Sequence, residues 1–301
     1  MRKKILVLGG TRYFGKHLVT ELLNNNHDVT IATRGISSDD FDNCVQRIIF
    51  DRYDKESIEK KIGNIYFDVV VDMLAYSSFD VAVLFPFLNT NKYIVVSSTM
   101  VYENLIGEVV EGDFDPHSYE YIIEKRDKNN YSRGKRLVES ALTRVPVDYI
   151  SVRFPFVVGP DDYTKRLYKY IDSFIIEEKM YIDNLHECLS FVSSYEAGKF
   201  LAFLVETEKF TGFINGASKG EISLYEILNM VDNKTNDEKI IDLFSDSTSN
   251  VAPFNGIRTH SINTQKANLL GYEFSHIDEW INDLIKELVR ESRLKKFEEH
   301  S

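Results

Sequence analysis

The sequence is poor in cysteine and proline. Among its 301 residues are two cysteines, Cys44 and Cys188, and six prolines. Two cysteines 144 positions apart match neither a CxxC metal knuckle nor a disulfide framework, so a reducing compartment suits the chain and we predict a cytoplasmic protein. The seven histidines show no HExxH or paired spacing, and we therefore predict no metal site.

Long apolar runs and an excess of positive charge are also missing. Residues 1–4 are basic, but only residues 5–8 are apolar before the first glycine, which is too short for the apolar region of a signal peptide. No stretch approaches the roughly 20 apolar residues that span a bilayer. Lys and Arg number 36 against 47 Asp and Glu, a net charge of −11. This balance disfavours a nucleic-acid or membrane partner.

Apolar residues instead occur in short runs rich in Val and Ile, which alternate with amphipathic segments. Such runs are typical of buried strands in a parallel sheet, and segments such as residues 16–25 are long enough for crossover helices. The pattern predicts an α/β protein built from repeated βαβ units around a parallel sheet. The predicted strands are residues 5–8, 29–33, 48–50, 69–72, 93–97 and 149–152.

The alternation of strands and helices changes after Arg153, where prolines and glycines interrupt it. We predict a first domain over residues 1–158, to which residues 187–215 return. Residues 159–186 and 216–275 then form a second, smaller region. Residues 277–297 have apolar side chains on one face and charged ones opposite, which predicts an amphipathic helix that closes the chain against the domain.

The first strand runs into a glycine-rich loop and then a helix. Glycines let the backbone turn tightly and approach a pyrophosphate, and the helix directs its N-terminal N–H groups and positive dipole end at the same place. The glycine expected three residues after Gly9 is missing, and Arg12 stands there. A turn that uses glycine only for its geometry is the alternative interpretation. The predicted cofactor-binding residues of this loop are Gly9, Gly10, Thr11, Arg12, Tyr13, Phe14 and Gly15.

The end of the second predicted strand bears on the choice of cofactor. In dinucleotide-binding folds an acidic residue there accepts hydrogen bonds from the ribose 2′-hydroxyl of NAD, whereas an arginine favours the 2′-phosphate of NADP. This chain has Arg34 at that place. We therefore predict NADP(H) as the preferred cofactor and NAD(H) as the alternative, with Arg34 and Arg12 as candidates to bind the extra phosphate, because a guanidinium binds phosphate through two hydrogen bonds.

Three residues form a candidate catalytic set. Ser98 ends the fifth predicted strand, where ligands bind in open α/β sheets, and Tyr131 and Lys135 follow at the four-residue spacing that places side chains on one helix face. An ammonium beside a phenol favours the phenolate, so the pair predicts a lowered pKa for Tyr131 and a role for it as general acid or base. Ser98 would donate a hydrogen bond to a substrate oxygen.

With these motifs the chain resembles the extended and atypical short-chain dehydrogenase/reductases, in particular the NAD(P)-dependent epimerase/dehydratase-like proteins. The resemblance rests on GGTRYFG at residues 9–15, SSTMVY at residues 97–102 and YSRGK at residues 131–135. It implies a Rossmann doubly wound parallel sheet with a small C-terminal α/β substrate-binding region, so that residues 1–158 form the dinucleotide-binding domain and residues 159–186 and 216–275 the substrate-binding region. It also implies a Ser-Tyr-Lys triad, here Ser98, Tyr131 and Lys135, and a lysine that also holds the nicotinamide ribose. It further implies cofactor contacts from Asp51 near the adenine and from Arg52, Leu74, Ala75 and Pro155.

The departures from the family pattern bear on the substrate. The GGxxxxG loop resembles a functionally mixed subgroup that includes proteins classed as sugar epimerases, isoflavone-reductase-like proteins and chloroplast stem-loop RNA-binding proteins. Thr99 is followed by Met100, where sugar-nucleotide dehydratases carry an Asp-Glu pair, so a dehydratase is disfavoured. Residues 103–130 are longer than the corresponding family loop, and we predict a lid there.

Together these observations predict an NAD(P)-dependent oxidoreductase or epimerase. It would act on a carbonyl or secondary alcohol of a small-molecule substrate such as a sugar nucleotide, with Tyr131 transferring the hydroxyl proton. The alternative is a non-catalytic nucleotide-sensing or RNA-binding protein on the same fold, because fold alone does not imply activity. The resemblance also admits a homodimer.

Overall fold

The computed structural model of the chain describes residues 1–231 and 250–299. Residues 232–249 of the predicted substrate-binding region lie outside the described residues. The strands in chain order are β1 (Lys4–Leu8), β2 (Asp28–Thr33), β3 (Gln46–Ile49), β4 (Tyr66–Asp72), β5 (Asn89–Ser98), β6 (Gly107–Val109), β7 (Asp148–Phe154), β8 (Phe156–Val158), β9 (Cys188–Leu189), β10 (Phe191–Ser193), β11 (Gly212–Asn215), β12 (Ile222–Ser223) and β13 (His260–Ile262).

The helices connect these strands on both sides of a central sheet. They are α1 (Phe14–Asn24), α2 (Lys55–Ile62), α3 (Ser78–Leu84), α4 (Tyr131–Leu142), α5 (Arg166–Ile176), α6 (Ser194–Glu206) and α7 (Leu224–Val231), followed by a short helix Gln265–Leu269 and a closing helix Ile281–Glu299. Local signals explain several helix starts. Asp54 accepts a hydrogen bond from the Ser57 amide at 3.2 Å and caps α2, and Asn130 accepts one from the Arg133 amide at 3.1 Å and caps α4.

The central sheet has seven parallel strands in the order β11-β7-β5-β4-β1-β2-β3. Strand order reverses at β1, whose two neighbours are β2 and β4, so the carboxyl end of β1 lies at the switch point where open α/β sheets bind ligands. The fold class predicted from the sequence, a Rossmann doubly wound parallel sheet, is confirmed.

Alternation within each strand divides the core into two layers. In β1, Ile5 and Val7 pack on the side of α1 and α6, whereas Leu6 and Leu8 pack on the side of α2, α3 and α4. Successive side chains of a strand point to opposite faces, so a strand covered by helices on both faces is apolar throughout. This is why the parallel strands appear in the sequence as continuous apolar runs.

One strand extends beyond the apolar run that predicted it. The sequence places the fifth strand at residues 93–97, but β5 begins at Asn89 and includes the buried Lys92. The Lys92 ammonium donates hydrogen bonds to the carbonyl oxygens of Leu204 and Thr207 at the end of α6. Hydrogen bonds to the last carbonyls of a helix allow a lysine to be buried within a strand. Apolar periodicity alone does not detect such a residue, because lysine is charged.

A second core lies beside the sheet. It is formed by apolar residues of α5, α7 and the closing helix, for example Ile171, Leu228 and Leu284. The predicted helix over residues 277–297 is wrong in one respect: Ile277–Glu279 form a 3₁₀ turn, and the α-helix begins only at Ile281. The His276 amide donates to the Glu279 carboxylate at 2.9 Å, which caps the turn and separates it from the helix. Among the described residues no helix is long and apolar enough to cross a membrane.

Candidate functional site

The glycine loop at the end of β1 adopts a backbone that other residues avoid. Gly9 and Gly10 have φ values of 100° and 85°, and a Cβ on Gly10 would lie 2.9 Å from Val7 Cγ1. The Gly9 amide donates to the Ala32 carbonyl at 3.0 Å, which attaches the loop to β2. No side chain caps the N-terminus of α1, so the positive end of its dipole is available to an anion.

A cleft of about 520 Å³ opens above this loop, along the carboxyl ends of β1, β2 and β4. Most of the predicted cofactor-binding residues line it, namely Gly9, Gly10, Thr11, Arg12, Tyr13, Phe14, Arg34, Asp51, Arg52 and Leu74. Gly15, Ala75, Lys135 and Pro155 are buried and do not line it. Further lining residues that sequence reasoning did not assign to the cofactor include Ser37, Tyr53, Tyr76, Arg126 and Tyr163.

Gly15 and Tyr13 make packing contacts that hold the glycine loop in place. A Cβ on Gly15 would lie 2.9 Å from Gly10 Cα and 3.0 Å from Met73 Sδ, so glycine lets the loop and helix approach each other. Tyr13 has a φ of 55° and donates its hydroxyl hydrogen bond to the Val157 carbonyl. Its ring is buried, and burial raises the pKa of its hydroxyl. The loop is therefore attached to the segment after β7.

The two arginines predicted to bind a 2′-phosphate lie in different surroundings. Arg34 is exposed at the end of β2, on the rim of the cleft. The Arg12 guanidinium carbon lies 5.9 Å from the ring centroid of Tyr163, which belongs to the segment between β8 and α5. Arg34 is consequently the stronger candidate for a 2′-phosphate.

Arg52 lines the cleft, but its guanidinium is held by a buried network beneath it. It binds the Asp72 carboxylate through two hydrogen bonds of 2.8 and 3.2 Å and donates to the Asp80 carbonyl at 2.9 Å. Burial raises the pKa of Asp72, but the Arg52 charge and hydrogen bonds from Arg52, Tyr93 and the Leu74 amide outweigh it and leave that pKa below its ordinary value. These contacts support a structural role for Arg52 under the cleft floor.

Ser98 and Tyr131 come together at the carboxyl end of β5. Ser98 is the last residue of β5, and Tyr131 is the first of α4. The expected lowering of the Tyr131 pKa by Lys135 is wrong. Burial of the hydroxyl end raises this pKa, against hydrogen bonding with Ser98 and the charges of Arg166 and Arg126, which lower it. Tyr131 is therefore protonated at neutral pH.

The Lys135 ammonium lies near two tyrosine rings, 4.7 Å from the ring centroid of Tyr76 and 5.7 Å from that of Tyr131. It donates hydrogen bonds to the carbonyls of Ala75 at 2.8 Å and Val96 at 2.7 Å. Two of the three donors of the ammonium are thereby engaged by the backbone. Burial lowers the pKa of Lys135 to about 8. Lys135 fastens the end of β5 to the segment after β4.

Tyr76 stands between the cleft and this lysine. Its side chain lines the cleft, and its ring centroid lies 6.4 Å from that of Tyr131. Its amide donates to the Asp80 carboxylate at 2.8 Å, and its carbonyl packs against Gly134 of α4. The backbone of Tyr76 is thus held from two sides, which places its ring over Lys135. The sequence signal was available, since Tyr76 directly follows the predicted contacts Leu74 and Ala75.

Replacing Gly134 by alanine should destabilise the protein. An added Cβ would lie 2.4 Å from the Tyr76 carbonyl oxygen, and a backbone atom cannot move aside as a flexible side chain can. We expect a loss of about 1–3 kcal/mol in the free energy of unfolding, measured by denaturant titration. Gly112→Ala is the matched control, because no atom lies within 4 Å of its added Cβ. Equal stability of the two variants would contradict this contact.

The structure contains no cluster of three or more His, Cys, Asp or Glu suited to a metal ion within residues 1–231 and 250–299. His17 instead joins α1 to the segment after β8, because its Nε2 lies 3.1 Å from the Asp161 carboxylate. Ser194 donates to the same carboxylate at 2.7 Å. Since Asp161 and Ser194 both face one nitrogen of His17, the three residues do not form a nucleophile activated through a base.

Comparison with known proteins agrees with this architecture. Residues 5–87 match the model of the NAD dependent epimerase/dehydratase family. A stretch of 175 residues, 54% of this chain, is 30% identical to the chloroplast stem-loop binding protein of 41 kDa b of Arabidopsis thaliana. The match spans 44% of that protein, which is less than half of its length. The resemblance inferred from the sequence motifs is confirmed.

Solved structures share the fold over nearly the whole chain. The UDP-glucose 4-epimerase of Thermotoga maritima, solved with UDP-glucose, has a TM-score of 0.70 at 16% identity and covers 95% of this chain and 98% of its own. The UDP-glucuronic acid 4-epimerase of Bacillus cereus, solved with NAD, has a TM-score of 0.70 at 17% identity, with coverages of 97% and 99%. At such identities these neighbours establish the fold alone.

Proposed function

We propose that this protein is an NAD(P)-dependent oxidoreductase or epimerase that acts on a carbonyl or secondary alcohol. One observation carries the proposal. The cleft is lined by the glycine loop at the switch point of the sheet and by Tyr76, whose ring centroid lies 6.4 Å from that of Tyr131. A nucleotide site that ends beside a protonated phenol and a serine hydroxyl is suited to redox chemistry at a hydroxyl-bearing carbon.

The residues present fit the adenosine and pyrophosphate parts of a dinucleotide. The positive φ of Gly9 and Gly10 and the uncapped N-terminus of α1 suit a pyrophosphate. Asp51 and Arg34 line the part of the cleft that would take the adenosine. When bound, a nicotinamide dinucleotide supplies hydride transfer.

Tyr131 supplies the proton in this proposal. Because its raised pKa keeps it protonated at neutral pH, it is ready to donate a proton to a substrate carbonyl oxygen as that oxygen becomes a hydroxyl. Ser98 orients the same oxygen by a hydrogen bond. Lys135 acts as a positioning residue, since it holds the carbonyls of Ala75 and Val96 and so the strand ends that frame Ser98 and the cleft.

We propose a sugar nucleotide as the substrate class. The support is that structures of the same fold, such as the Thermotoga maritima epimerase, are described with UDP-glucose, and that the family model matches the first part of this chain. Net reduction and epimerisation share the proton transfer by Tyr131 and differ in whether the hydride returns to the substrate. Assays for both reactions therefore belong to the first screen.

Replacing Arg34 by aspartate tests the NADP preference. We expect the parent protein to bind NADPH more tightly than NADH, and Arg34→Asp to weaken NADPH binding roughly ten- to hundredfold, because a charge-assisted contact to the 2′-phosphate is lost. Calorimetric titration with each cofactor measures this. The control is Arg290→Asp on the closing helix, which is exposed and outside the cleft. An unchanged ratio of NADPH to NADH affinity in Arg34→Asp would overturn the assignment.

A second candidate function is nucleotide sensing or RNA binding without catalysis. Two observations favour it: the similarity to a chloroplast stem-loop binding protein, and a Lys135 that is buried and donates to the carbonyls of Ala75 and Val96. Against it stands the net charge of −11, because contact with a phosphate backbone needs clustered cations. A gel shift with stem-loop RNA whose affinity falls steeply with salt would favour this candidate over the enzyme.

The compartment and the assembly also belong to the proposal. Cys44 and Cys188 are both free thiols, which supports the prediction of a cytoplasmic protein. A homodimer stays a prediction, and sedimentation of the purified protein at several concentrations would decide it.

A further inference from the structure

The segment of residues 119–126, which we call the strap, crosses the outer surface of α3 and α4. Ser78 of α3 donates its hydroxyl to the Ile122 carbonyl at 2.7 Å, and the Phe79 amide donates to the Glu124 carbonyl at 3.1 Å. On α4, Arg133 binds the Glu124 carboxylate at 2.8 Å. The strap belongs to the predicted lid over residues 103–130, and these contacts hold it against both helices.

Arg126, the last residue of the strap, reaches the cleft. Its guanidinium carbon lies 4.0 Å from the ring centroid of Tyr76, and both side chains line the cleft. A guanidinium that stacks on a ring by its face keeps its N–H donors in the plane, where they point past the ring edge. No carboxylate lies within 4 Å of Arg126 in the described part of the chain, so its charge is not neutralised by an ion pair.

The cleft is lined mainly by positive charges, although the protein as a whole is negatively charged. On a chain with a net charge of −11, the cleft is lined by Arg12, Arg34, Arg52 and Arg126 and by one carboxylate, that of Asp51. Within the described residues, Arg52 is the one of these four that is paired with carboxylates, namely those of Asp72 and Asp80. A concave site with unpaired cations concentrates anions. The glycine loop and Arg34 account for a cofactor, which leaves Arg126 unassigned at the other end.

The position of Arg126 links it to the reacting end of the site. Tyr76, on which it stacks, is the neighbour of Tyr131, and the two ring centroids are 6.4 Å apart. Burial raises the pKa of the Tyr131 hydroxyl, and the Arg126 charge is among the influences that lower it, so the two groups interact electrostatically. An anionic group bound by Arg126 would therefore lie near the hydroxyl that transfers the proton.

We propose that Arg126 is a specificity-determining residue that binds a carboxylate or phosphate group of the substrate at the Tyr131 end of the cleft. This inference rests on the proposed function, because it takes the cleft to bind a substrate. The strap fixes the arginine, the Tyr76 ring orients its plane, and the in-plane donors form two hydrogen bonds to the anion. The substrate class is thereby narrowed to molecules that carry a negative charge close to the reacting carbon.

The test observes Arg126 itself and needs no substrate. The arginine Nε signals of nitrogen-15 labelled protein are recorded, and the Arg126 signal is identified by its loss in Arg126→Gln. Titration with inorganic phosphate, and separately with acetate, is expected to shift this signal with a dissociation constant on the order of 10 mM, as suits one bidentate contact. Lys125→Gln is the matched control, because its ammonium lies over Phe79 and outside the cleft.

The outcomes separate this inference from the proposed function. A saturable shift of the Arg126 signal that persists in Lys125→Gln supports the inference, and the stronger of the two anions identifies phosphate or carboxylate as the group recognised. An Arg126 signal that moves with neither anion overturns it. NADPH titration of the same samples tests the cofactor site separately. If the protein binds NADPH but its Arg126 signal responds to neither phosphate nor acetate, this inference is contradicted and the proposed cofactor site is not.

Discussion

Replacing Tyr131 by phenylalanine is expected to lower turnover by a factor of about 10² to 10⁴, the usual contribution of a positioned general acid. The change removes one oxygen atom and leaves the ring that packs near Tyr76. Loss of activity with unchanged unfolding free energy would identify a chemical role.

The measurement is a screen of sugar nucleotides for NADPH oxidation and for epimerised product, in parent protein and variant. Tyr195→Phe is the control, because Tyr195 is an exposed tyrosine on α6 outside the cleft. Turnover by Tyr131→Phe equal to that of the parent protein would remove the mechanism. If the parent protein turns over no substrate and fails to bind a dinucleotide, the nucleotide-sensing or RNA-binding candidate takes precedence.

The pH dependence distinguishes the two accounts of Tyr131. A pKa raised above its ordinary value of 10 keeps the acid form present across neutral pH, so the rate in the direction of reduction should stay level between about pH 6 and 9 with respect to this group. It should fall only as the pH passes the raised pKa. A decline centred near neutral pH would show instead that Lys135 lowers the pKa when a ligand is bound.

Replacing Glu139 by alanine is expected to cost about 3–5 kcal/mol of the free energy of unfolding. Glu139 on α4 and Arg153 on β7 are both fully buried, and their closest charged atoms are 2.7 Å apart. Removing the carboxylate leaves the guanidinium buried without an opposite charge. Ser151 would also lose the acceptor of its hydroxyl, which donates to Glu139 at 2.9 Å.

This pair joins several elements that frame the site. Arg153 also donates to the carbonyls of Glu111 and Phe114, at 2.9 and 3.2 Å, so the pair ties α4, which begins with Tyr131, to the sheet and to the segment after β6. A double replacement by apolar residues should recover only part of the loss, because the carbonyls that Arg153 satisfies would remain buried without donors.

Equilibrium unfolding in denaturant measures the effect. Glu59→Ala, an exposed position on α2, is the control for removing a glutamate from a helix. If Glu139→Ala does not fold, Glu139→Gln keeps the shape and the acceptor for Ser151 and should show a smaller loss. A change below about 1 kcal/mol in Glu139→Ala would mean that the buried pair does not contribute to stability in this way.

Local chemistry explains which parts of the fold could be predicted. The apolar runs of β1 and β4 and the glycines after β1 follow from backbone geometry and from burial on both faces of the sheet, which act over a few neighbouring residues. The glycine loop and Arg34 were assigned to a cofactor from such local chemistry, and Asp51 and Leu74 from the family resemblance. The structure places residues 9–14 and the other three on the surface of one cleft. The domain boundaries and the roles of the site residues stay predictions.

Long-range contacts explain what could not be predicted. Four-residue spacing placed Tyr131 and Lys135 on one helix face, but the lysine turns toward the carbonyls of Ala75 and Val96, which are 60 and 39 residues away along the chain. The family resemblance predicted a cofactor contact from Arg52, whereas in the structure the Asp72 carboxylate, at the end of β4, binds its guanidinium. Each outcome depends on a partner that only folding brings near.

The sequence by itself determined the parallel sheet and the glycine loop after its first strand, because periodicity and glycine geometry are local properties. The Ser98, Tyr131 and Lys135 set stays a prediction. The tertiary structure decided the protonation of Tyr131, the engagement of Lys135 and the placement of Tyr76 and Arg126 in the cleft. Burial and charge depend on neighbours that are distant in the chain. A pKa shift or an ion pair can therefore be inferred only from the folded structure, in which those neighbours are in place.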